Sequence, residues 1–253
     1  MKFISTIILH LHRYMKLDIL AFAAHPDDVE LSCGGTLLLH QSRGKKIGII
    51  DLTKGEMGTR GTPETRMQEA DAATRILKLD ARENLGFADC FFRNDDEHRM
   101  KVIAAIRKYQ PEIVFANAVK DRHPDHGRAA QLVAESCFHA GLVKVNTTTN
   151  GQPQSAWKIK ALYHYIQDRN LLPDFVVDIS DWMEKKIESI LCYKSQFYTP
   201  DSKEPETPLT SKRFLEMAVQ SRNAELGRGI GVAFAEGFTT SRIPGVKDLF
   251  VLI

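Results

Sequence analysis

The chain has 253 residues, of which 43% are hydrophobic and 26% charged, and its formal net charge is +2. This size and balance are typical of one globular α/β domain that can fill a sizeable core. Without a dense Lys/Arg block or an apolar run near the roughly 20 residues of a membrane span, we expect neither nucleic-acid nor membrane binding. Four scattered cysteines without a Cys-x-x-Cys pair indicate no disulfide framework and no thiolate zinc site, which is typical of the reducing cytoplasm.

Residues 1–14 are predicted to be an N-terminal extension that precedes the folded domain. The mildly hydrophobic run at 3–9 is followed by His10, His12 and Arg13, and it lacks a convincing signal-peptide cleavage site. We expect translation to begin at Met15, just before the first strand, and one domain to occupy residues 15–253.

Strand-like and helix-like patterns alternate along the domain, which favours a Rossmann-like, mostly parallel sheet with helices on both faces. Apolar runs typical of buried strands lie at 19–24, 46–52, 83–87, 113–116, 161–166 and 175–179. The first helix is predicted to end at Gly44, and the later helices lie at 63–79, 95–109, 127–140, 181–193 and 211–226. Thr62 is the predicted N-cap of the second helix. The polar loop at 145–155 suits a lid or a subunit contact.

The turn after the first strand contains His25-Pro26-Asp27-Asp28. In open α/β sheets, ligands bind at the carboxyl ends of strands, where such a turn leads into a helix. Residues three apart in this turn share a face, so His25 and Asp28 can point at one atom while Asp27 points elsewhere. A single motif of this kind is equally compatible with a polar turn that caps a helix.

A second motif, His123-Pro124-Asp125-His126, repeats the spacing after the strand at 113–116. If the two strands are close in the sheet, both turns converge on one pocket, and His and carboxylate side chains there suit Zn²⁺ or a similar divalent ion. A catalytic zinc takes three protein ligands and keeps one position open, so one of the four candidates has another role. Those candidates are His25, Asp28, His123 and His126.

The paired motifs and the chain length resemble the LmbE-like (PIG-L) family of zinc-dependent N-acetylglucosamine deacetylases, over about residues 15–240. Three segments are similar to the branch that deacetylates N-acetylglucosaminyl-malate in bacillithiol biosynthesis: 52–62, 193–197 and 235–238. The resemblance implies a metal-dependent amide hydrolase that removes the N-acetyl group and releases acetate. It also implies a homo-oligomer.

The resemblance further implies that His25, Asp28 and His126 hold the metal. Zn²⁺ is the implied ion, and Fe²⁺ or another divalent ion also fits two His and one Asp. Two neutral imidazoles and one carboxylate leave a net positive centre, which lowers the pKa of bound water and polarises an amide carbonyl.

Three neighbouring residues match the catalytic positions of the family. Asp27 matches the general base, and His123 matches a residue that stabilises the oxyanion or protonates the leaving amine. Asp125 is expected to orient His123, as supporting carboxylates do. The alternatives are a helix-start carboxylate favoured by the macrodipole for Asp27 and a simple helix cap for Asp125.

A malate-bearing substrate requires groups that bind anions, and Arg60, Arg66 and Arg122 are the candidates because guanidinium groups match carboxylates bidentately. For each of them a surface ion pair is the alternative. Glu56 is predicted to hydrogen-bond sugar hydroxyls, with a solvated loop residue as the alternative. The functions of Tyr193 and Gln196, which belong to a family signature, do not follow from the sequence.

Other functions are compatible with parts of the pattern. The same chemistry can act on another N-acetyl sugar or on a mycothiol-like conjugate. A non-catalytic sugar-binding module is disfavoured because Asp27 and all three implied ligands are intact. A nicotinamide-dependent oxidoreductase is disfavoured because no Gly-x-Gly-x-x-Gly follows the first strand.

Overall fold

The computed structural model of the protein describes residues 15–200, 202–203 and 207–252. The predicted extension at residues 1–14 lies outside the described residues. Within the described ranges, no helix is long and apolar enough to cross a membrane.

A seven-stranded sheet forms the centre of the molecule, in the order β3-β2-β1-β4-β7-β9-β8. β1 to β4 and β7 pair in parallel, whereas β9 is antiparallel to both β7 and β8. The predicted mostly parallel α/β sheet is therefore confirmed. The strands are β1 Ile19–Ala23, β2 Ile47–Thr53, β3 Ala81–Phe87, β4 Ile113–Ala116, β7 Ala161–Tyr165, β8 Phe175–Asp178 and β9 Ala235–Thr239, with a separate hairpin of β5 Thr148–Thr149 and β6 Gln152–Pro153.

Helices cover both faces of this sheet. They are α1 Asp28–Ser42, α2 Pro63–Leu77, α3 Asp96–Tyr109, α4 Pro124–Ala140, α5 Met183–Ile190, α6 Lys212–Phe214 and α7 Ser221–Arg228, with a π-helical turn at Leu215–Gln220 that joins α6 to α7. Short 3₁₀ turns lie at Ser180–Trp182, Pro208–Thr210 and Leu249–Val251. We call the continuous stretch 212–228 the C-terminal helix.

Alternate residues of the central strand supply the two hydrophobic cores. Leu20 and Phe22 pack with α3 and α4 on one face, while Ile19 and Ala21 pack with α1 on the other. Successive strand side chains point to opposite faces, so a continuous apolar run is what a sheet buried on both sides requires. The apolar runs in the sequence predict this double burial correctly.

The strand order places a switch point at β1, which lies between β2 and β4. From β1 the chain proceeds outward to β2 and β3, and it then returns to add β4 on the opposite side. Ligand crevices in open α/β sheets form at such a point, beyond the carboxyl ends of the strands. The two His-Pro-Asp turns follow these two adjacent strands, so the fold brings them together.

Several boundaries differ from the predicted ones for local reasons. α4 begins at Pro124 and not at 127, because the His123 side chain caps it by accepting the Asp125 N–H at 3.3 Å. α5 begins only at Met183, after a 3₁₀ turn, and lacks a side-chain cap. The predicted cap of α2 is confirmed, since Thr62 accepts the Thr65 N–H.

The strand β9 is missing from the predicted elements, because its sequence Ala-Glu-Gly-Phe-Thr has a charged residue and a glycine in place of an apolar run. Its Glu236 is fully buried and accepts the backbone N–H groups of Gly35 and Thr36 at 3.0 and 2.6 Å. These bonds cap the second part of α1, which restarts after non-helical backbone at Cys33. Lys186, also fully buried, neutralises Glu236 at 2.6 Å.

Candidate active site

The turns after β1 and β4 meet at the carboxyl edge of the sheet. The ring centroid of His25 lies 4.7 Å from that of His123 and 5.6 Å from that of His126. Asp28 bridges the two turns, with its Oδ1 3.2 Å from His126 Nε2 and its Oδ2 3.6 Å from His25 Nδ1. Residues far apart in sequence therefore form one cluster, as the repeated spacing predicts.

Asp28 is held rigidly at the centre of this cluster. Its Oδ2 accepts the His25 N–H at 2.9 Å and the Asn117 side-chain amide at 3.0 Å, and its Oδ1 accepts the Gln167 side-chain amide at 3.0 Å. Burial alone would raise the pKa of Asp28, but His126 and His25 outweigh burial and hold it well below the usual range. Asp28 therefore presents an oriented, ionised carboxylate.

In both His25 and His126, the ring nitrogen that faces away from Asp28 lies against another carboxylate. His25 Nε2 lies 3.0 Å from Asp89 Oδ1 and 3.3 Å from Asp125 Oδ2, and His126 Nδ1 hydrogen-bonds Asp121. Burial lowers the pKa of both imidazoles, but the carboxylates outweigh it and raise the pKa of His25, and that of His126 to about 9. The carboxylates around the two rings therefore favour positive charge at this point of the cavity.

The donor set fits a divalent metal ion. Metal-binding histidines commonly place the second ring nitrogen on a carboxylate, which fixes the tautomer and the ring orientation. Imidazole nitrogen with carboxylate oxygen is the mixture that zinc and ferrous sites use. Two trios of ligand atoms lie within 4.8 Å of one another: His25 with His123 and His126, and His25 with Asp89 and Asp125.

Four residues of this cluster are absent from the predicted site: Asp89, Asn117, Asp121 and Gln167. Asn117 follows β4 directly, Gln167 follows β7 closely, and Asp89 follows β3. Polar side chains immediately beyond a parallel strand are the signal that identifies them, because the carboxyl ends of those strands share one edge. Asp121 does not closely follow a strand, and only its contact with His126 in the structure identifies it as part of the cluster.

Asp27 lies beside the cluster in a strained backbone conformation. Its φ of 114° is in the left-handed region that side chains other than glycine rarely adopt. Its Oδ2 accepts from Arg66 Nη2 at 3.1 Å, and the same guanidinium donates to the Pro26 carbonyl. Burial raises the pKa of Asp27 to about 7, against the opposing charge of Arg66. Asp27 is thus separated from Asp28 and is directed by a different partner.

His123 lines the same cavity, but Asp125 does not support it in the predicted way. The link between them runs from the Asp125 backbone N–H to His123 Nδ1. The Asp125 carboxylate instead contacts His25 Nε2, the Cys90 N–H at 2.9 Å and the Arg128 guanidinium. Because Asp125 is in the first turn of α4, its side chain turns toward Arg128 three residues later. The structure therefore places Asp125 behind His25, which corrects the predicted orienting contact.

A cavity of about 200 Å³ opens over these side chains. Two of the three predicted anion-binding arginines, Arg66 and Arg122, line it. Arg66 is engaged with Asp27, and the largely exposed Arg122 forms an ion pair with Asp168. Arg60 lines an adjoining pocket, where it donates to Ser202 at 2.5 Å.

Glu56 has a different position from the one predicted, since it is not among the described residues that line the cavity. Its carboxylate accepts the Asp89 N–H at 2.9 Å and the Lys54 N–H at 3.1 Å. It therefore ties the loop after β2 to the loop that positions Asp89.

Tyr193 and Gln196 acquire structural roles. The fully buried Tyr193 hydroxyl donates to Glu30 at 2.8 Å and accepts from Arg82 at 3.0 Å, in a network behind the first motif. Gln196 lines the cavity and donates to the Arg60 carbonyl at 2.9 Å. Both residues connect the segment after α5 to the site.

Known proteins resemble this chain in both sequence and fold. The family model "PIG-L: GlcNAc-PI de-N-acetylase" matches residues 20–137. The crystal structure of a conserved protein from Thermus thermophilus, TT1542, superposes with a TM-score of 0.82 at 36% identity, covering 92% of this chain and 98% of that one. The diacetylchitobiose deacetylase of Thermococcus kodakarensis is 30% identical over 71% of this chain and 70% of its own length.

Two further relatives are named for reactions on other substrates. The 4-oxalmesaconate hydratase of Pseudomonas putida is 26% identical over 86% of each chain. A probable N-acetyl-α-D-glucosaminyl L-malate deacetylase 2 of Bacillus anthracis is 27% identical over 69% of this chain and 79% of its own length. The match to the family model, the identity to the Thermococcus enzyme and the shared fold together show that this chain belongs to the PIG-L (LmbE-like) family.

Proposed function

We propose that this protein is a divalent-metal-dependent N-deacetylase that hydrolyses the acetamido group of an N-acetylglucosaminyl conjugate. One observation carries the proposal: the Asp27 carboxylate, held by Arg66, lies in the same cavity as the cluster of His25, Asp28 and His126. Two of the relatives are named as deacetylases, one of diacetylchitobiose and one, a probable enzyme, of N-acetyl-α-D-glucosaminyl L-malate, which supports the same chemistry.

His25, Asp28 and His126 would hold the ion, through His25 Nδ1, the Asp28 carboxylate and His126 Nε2. The contacts of Asp28 to both rings, and the carboxylates on the outer nitrogens of those rings, support this choice. When bound, a divalent cation polarises the amide carbonyl and acidifies the water that attacks it.

The remaining side chains divide the proton transfers. Asp27 accepts a proton from the attacking water as the oxygen–carbon bond forms. His123 Nδ1 accepts the Asp125 N–H, so the neutral ring carries its proton on Nε2, and this N–H can donate a hydrogen bond to the oxyanion. Burial and the neighbouring His25 and His126 lower the pKa of His123, which favours this neutral donor. Cleavage of the carbon–nitrogen bond then releases acetate, and the amine leaves with the proton that Asp27 accepted.

For the substrate we infer N-acetylglucosaminyl-L-malate, as in bacillithiol biosynthesis. Support comes from the resemblance of residues 52–62, 193–197 and 235–238 and from the name of the Bacillus relative. Arg122, which lines the cavity, and Arg60, which lines the adjoining pocket, would supply the positive charge that a malate group requires. Diacetylchitobiose and mycothiol-like conjugates are the alternative substrates.

The test is to incubate the zinc-loaded protein with N-acetylglucosaminyl-malate, diacetylchitobiose and methyl N-acetylglucosaminide, and to measure acetate and primary amine together. We expect equal amounts of the two products and the highest kcat/KM for the malate conjugate. Asp27→Asn is the matched control for background hydrolysis. If none of the three substrates releases acetate above this control, the proposal is wrong.

A hydratase is the second candidate, because the Pseudomonas relative covers more of this chain than either deacetylase. A base beside a metal cluster can add water across a double bond as well as to an amide. Incubation with 4-oxalmesaconate, followed by loss of its conjugated absorbance, distinguishes the two. If the rate of 4-oxalmesaconate hydration exceeded the rate of acetamide hydrolysis, this second candidate would be favoured.

We also infer a reducing compartment, the cytoplasm, and assembly into a homo-oligomer. All four cysteines are free thiols, which supports the cytoplasmic location. The family resemblance supports the homo-oligomer. Light scattering coupled to gel filtration measures the assembly directly.

A further inference from the structure

We propose that Arg222 forms a subsite that binds an oxyanion, a carboxylate or a phosphate, on the aglycone of the substrate. This inference rests on the proposed function, because it assigns the part of the conjugate that is not the acetylated sugar. Arg222 lies in α7 and lines the cavity that contains His25, Asp28 and His126.

Arg222 differs from Arg66 and Arg122, which line the same cavity, by its lack of an acidic partner. Arg66 pairs with Asp27, Arg122 pairs with Asp168, and Arg60 donates to Ser202. Within the described part of the chain, no carboxylate lies within ion-pair distance of Arg222. Its hydrogen bond is made by Nη2, which donates to the Ala218 carbonyl one turn earlier at 2.8 Å.

The guanidinium is nevertheless partly withdrawn from water. Burial lowers the pKa of Arg222, and only the more distant charges of Asp168 and Asp121 oppose this effect. A withdrawn charge without a counter-ion costs free energy, and this cost is recovered when an anion binds beside it. The donors that remain form a planar fork, which matches a carboxylate or a phosphate in two-point contact.

The backbone provides a second, independent observation. The π-helical turn at Leu215–Gln220 directly precedes α7. In an uninterrupted α-helix, a residue eight positions after Phe214 would be rotated from it by about 80°. A π-helical turn contains more residues than an α-helical turn, so each of its residues is rotated less about the helix axis. This difference alters the angle between Phe214 and Arg222, and both side chains line the cavity. Such π-turns are rare and frequently occur at functional sites.

The ion pair of Arg122 with Asp168 adds to the subsite. Asp168 also lines the cavity, and its carboxylate opposes the charge of both Arg122 and Arg222. The Asp168 carboxylate is paired with Arg122, and Asp168 and Asp121 act on Arg222 only from beyond ion-pair distance, so Arg222 has no direct counter-ion among the described residues. The bound anion supplies the missing negative charge.

Binding without turnover provides the direct test. Glucosides carry a hydroxyl in place of the acetamide, so their affinity does not depend on hydrolysis. Titration calorimetry of the zinc-loaded protein would compare glucosyl-malate, glucose 1-phosphate and methyl glucoside. We expect at least one anionic ligand to bind about tenfold or more tightly than the neutral one, and the tighter of the two identifies carboxylate or phosphate as the bound group.

Variants of the same helix then assign the preference to one residue. Arg222→Gln should abolish the preference for the anionic glucoside, and Arg222→Lys should retain part of it. Arg228→Gln is the matched control, since exposed Arg228 on the same helix pairs with Glu225 and does not line the cavity among the described residues. Melting temperatures within a few degrees of the wild type show that each variant is folded.

The outcomes separate this inference from the proposed function. If the wild type binds all three glucosides equally, or Arg222→Gln keeps the full preference, the subsite is wrong even when deacetylation proceeds. If no N-acetyl substrate is hydrolysed but Arg222→Gln removes an anion preference, the proposed function fails and the subsite remains. In activity assays, Arg222→Gln should raise KM for the anionic conjugate about tenfold with little change in kcat.

Discussion

Arg66 Nη2 lies 3.1 Å from the Asp27 carboxylate, and the same nitrogen donates to the Pro26 carbonyl. One guanidinium therefore fixes both the side chain and the backbone of a turn whose Asp27 has a φ of 114°. Backbone strain at an active site persists only when the surroundings determine the conformation strongly. Arg66, which the sequence suggests as a malate-binding group, is better explained as the residue that positions Asp27.

The first prediction follows from this contact. Arg66→Gln should lower kcat by about tenfold or more, because Asp27 loses a charge-assisted hydrogen bond that holds it toward the attacking water. The KM and the zinc content should change little, and Arg66→Lys should restore part of kcat. Steady-state kinetics and elemental analysis measure these quantities, with the exposed Arg75→Gln on the same helix as control. A rise in KM for a malate substrate at constant kcat would return Arg66 to an anion-binding role.

The second prediction separates two adjacent carboxylates. Asp27→Asn removes the proton acceptor but conserves its shape, so kcat should fall by roughly 10²–10⁴ while zinc remains bound. Asp28→Asn removes the negative ligand between His25 and His126 and should weaken zinc binding, with partial rescue by added zinc. Zinc titration and kinetics on both variants check the assignment. The opposite pattern, metal loss in Asp27→Asn alone, would exchange the two roles.

The third prediction chooses between the clusters of metal-binding side chains. If His25, Asp28 and His126 hold the ion, His126→Ala should lose zinc, whereas His123→Ala should retain it. Asp89→Asn and Asp125→Asn should each weaken zinc binding only moderately, about 10–100-fold, because both carboxylates contact the outer nitrogen of His25. Elemental analysis of dialysed protein gives the occupancy. Loss of zinc in Asp89→Asn with retention in Asp28→Asn would instead support the set of His25, Asp89 and Asp125.

The fourth prediction concerns stability. Lys186→Met leaves the fully buried Glu236 without its counter-ion and should lower the free energy of unfolding by about 3–5 kcal/mol. Lys185→Met, at the adjacent and only partly buried position, should change it by less than about 1 kcal/mol. Urea denaturation of both variants measures the difference. Similarly small losses of unfolding free energy in both variants would show that the ion pair of Lys186 and Glu236 contributes little to stability.

The fifth prediction concerns the extension at residues 1–14. Its removal should leave the melting temperature and kcat/KM unchanged, because the first strand and the His25 turn both follow Met15. Calorimetry and kinetics on the truncated protein test this. A clear drop in either would mean that the extension packs against the domain.

The sequence by itself determined the fold class and the centre of the site. Continuous apolar runs specify strands that are buried on both faces. Because these strands alternate with amphipathic helices along the chain, a parallel sheet covered by helices is the expected fold. Within that arrangement, polar turns at strand ends must share one edge, which is why the repeated His-Pro-Asp spacing correctly predicts that His25 and His123 lie together. This reasoning is local, since each step depends on neighbouring residues and a fixed period.

Only the tertiary structure decided which partners these residues have. Asp121 joins the cluster through a loop whose path no short-range pattern specifies. Asp89 and Gln167 each follow a strand closely, but only the folded chain brings them to His25 and Asp28. β9 escapes prediction because its polar Glu236 is stabilised by Lys186, 50 positions away in the chain. A charge that is costly when buried alone becomes tolerable beside its counter-ion. The cost of burial therefore depends on contacts that form only when the chain has folded.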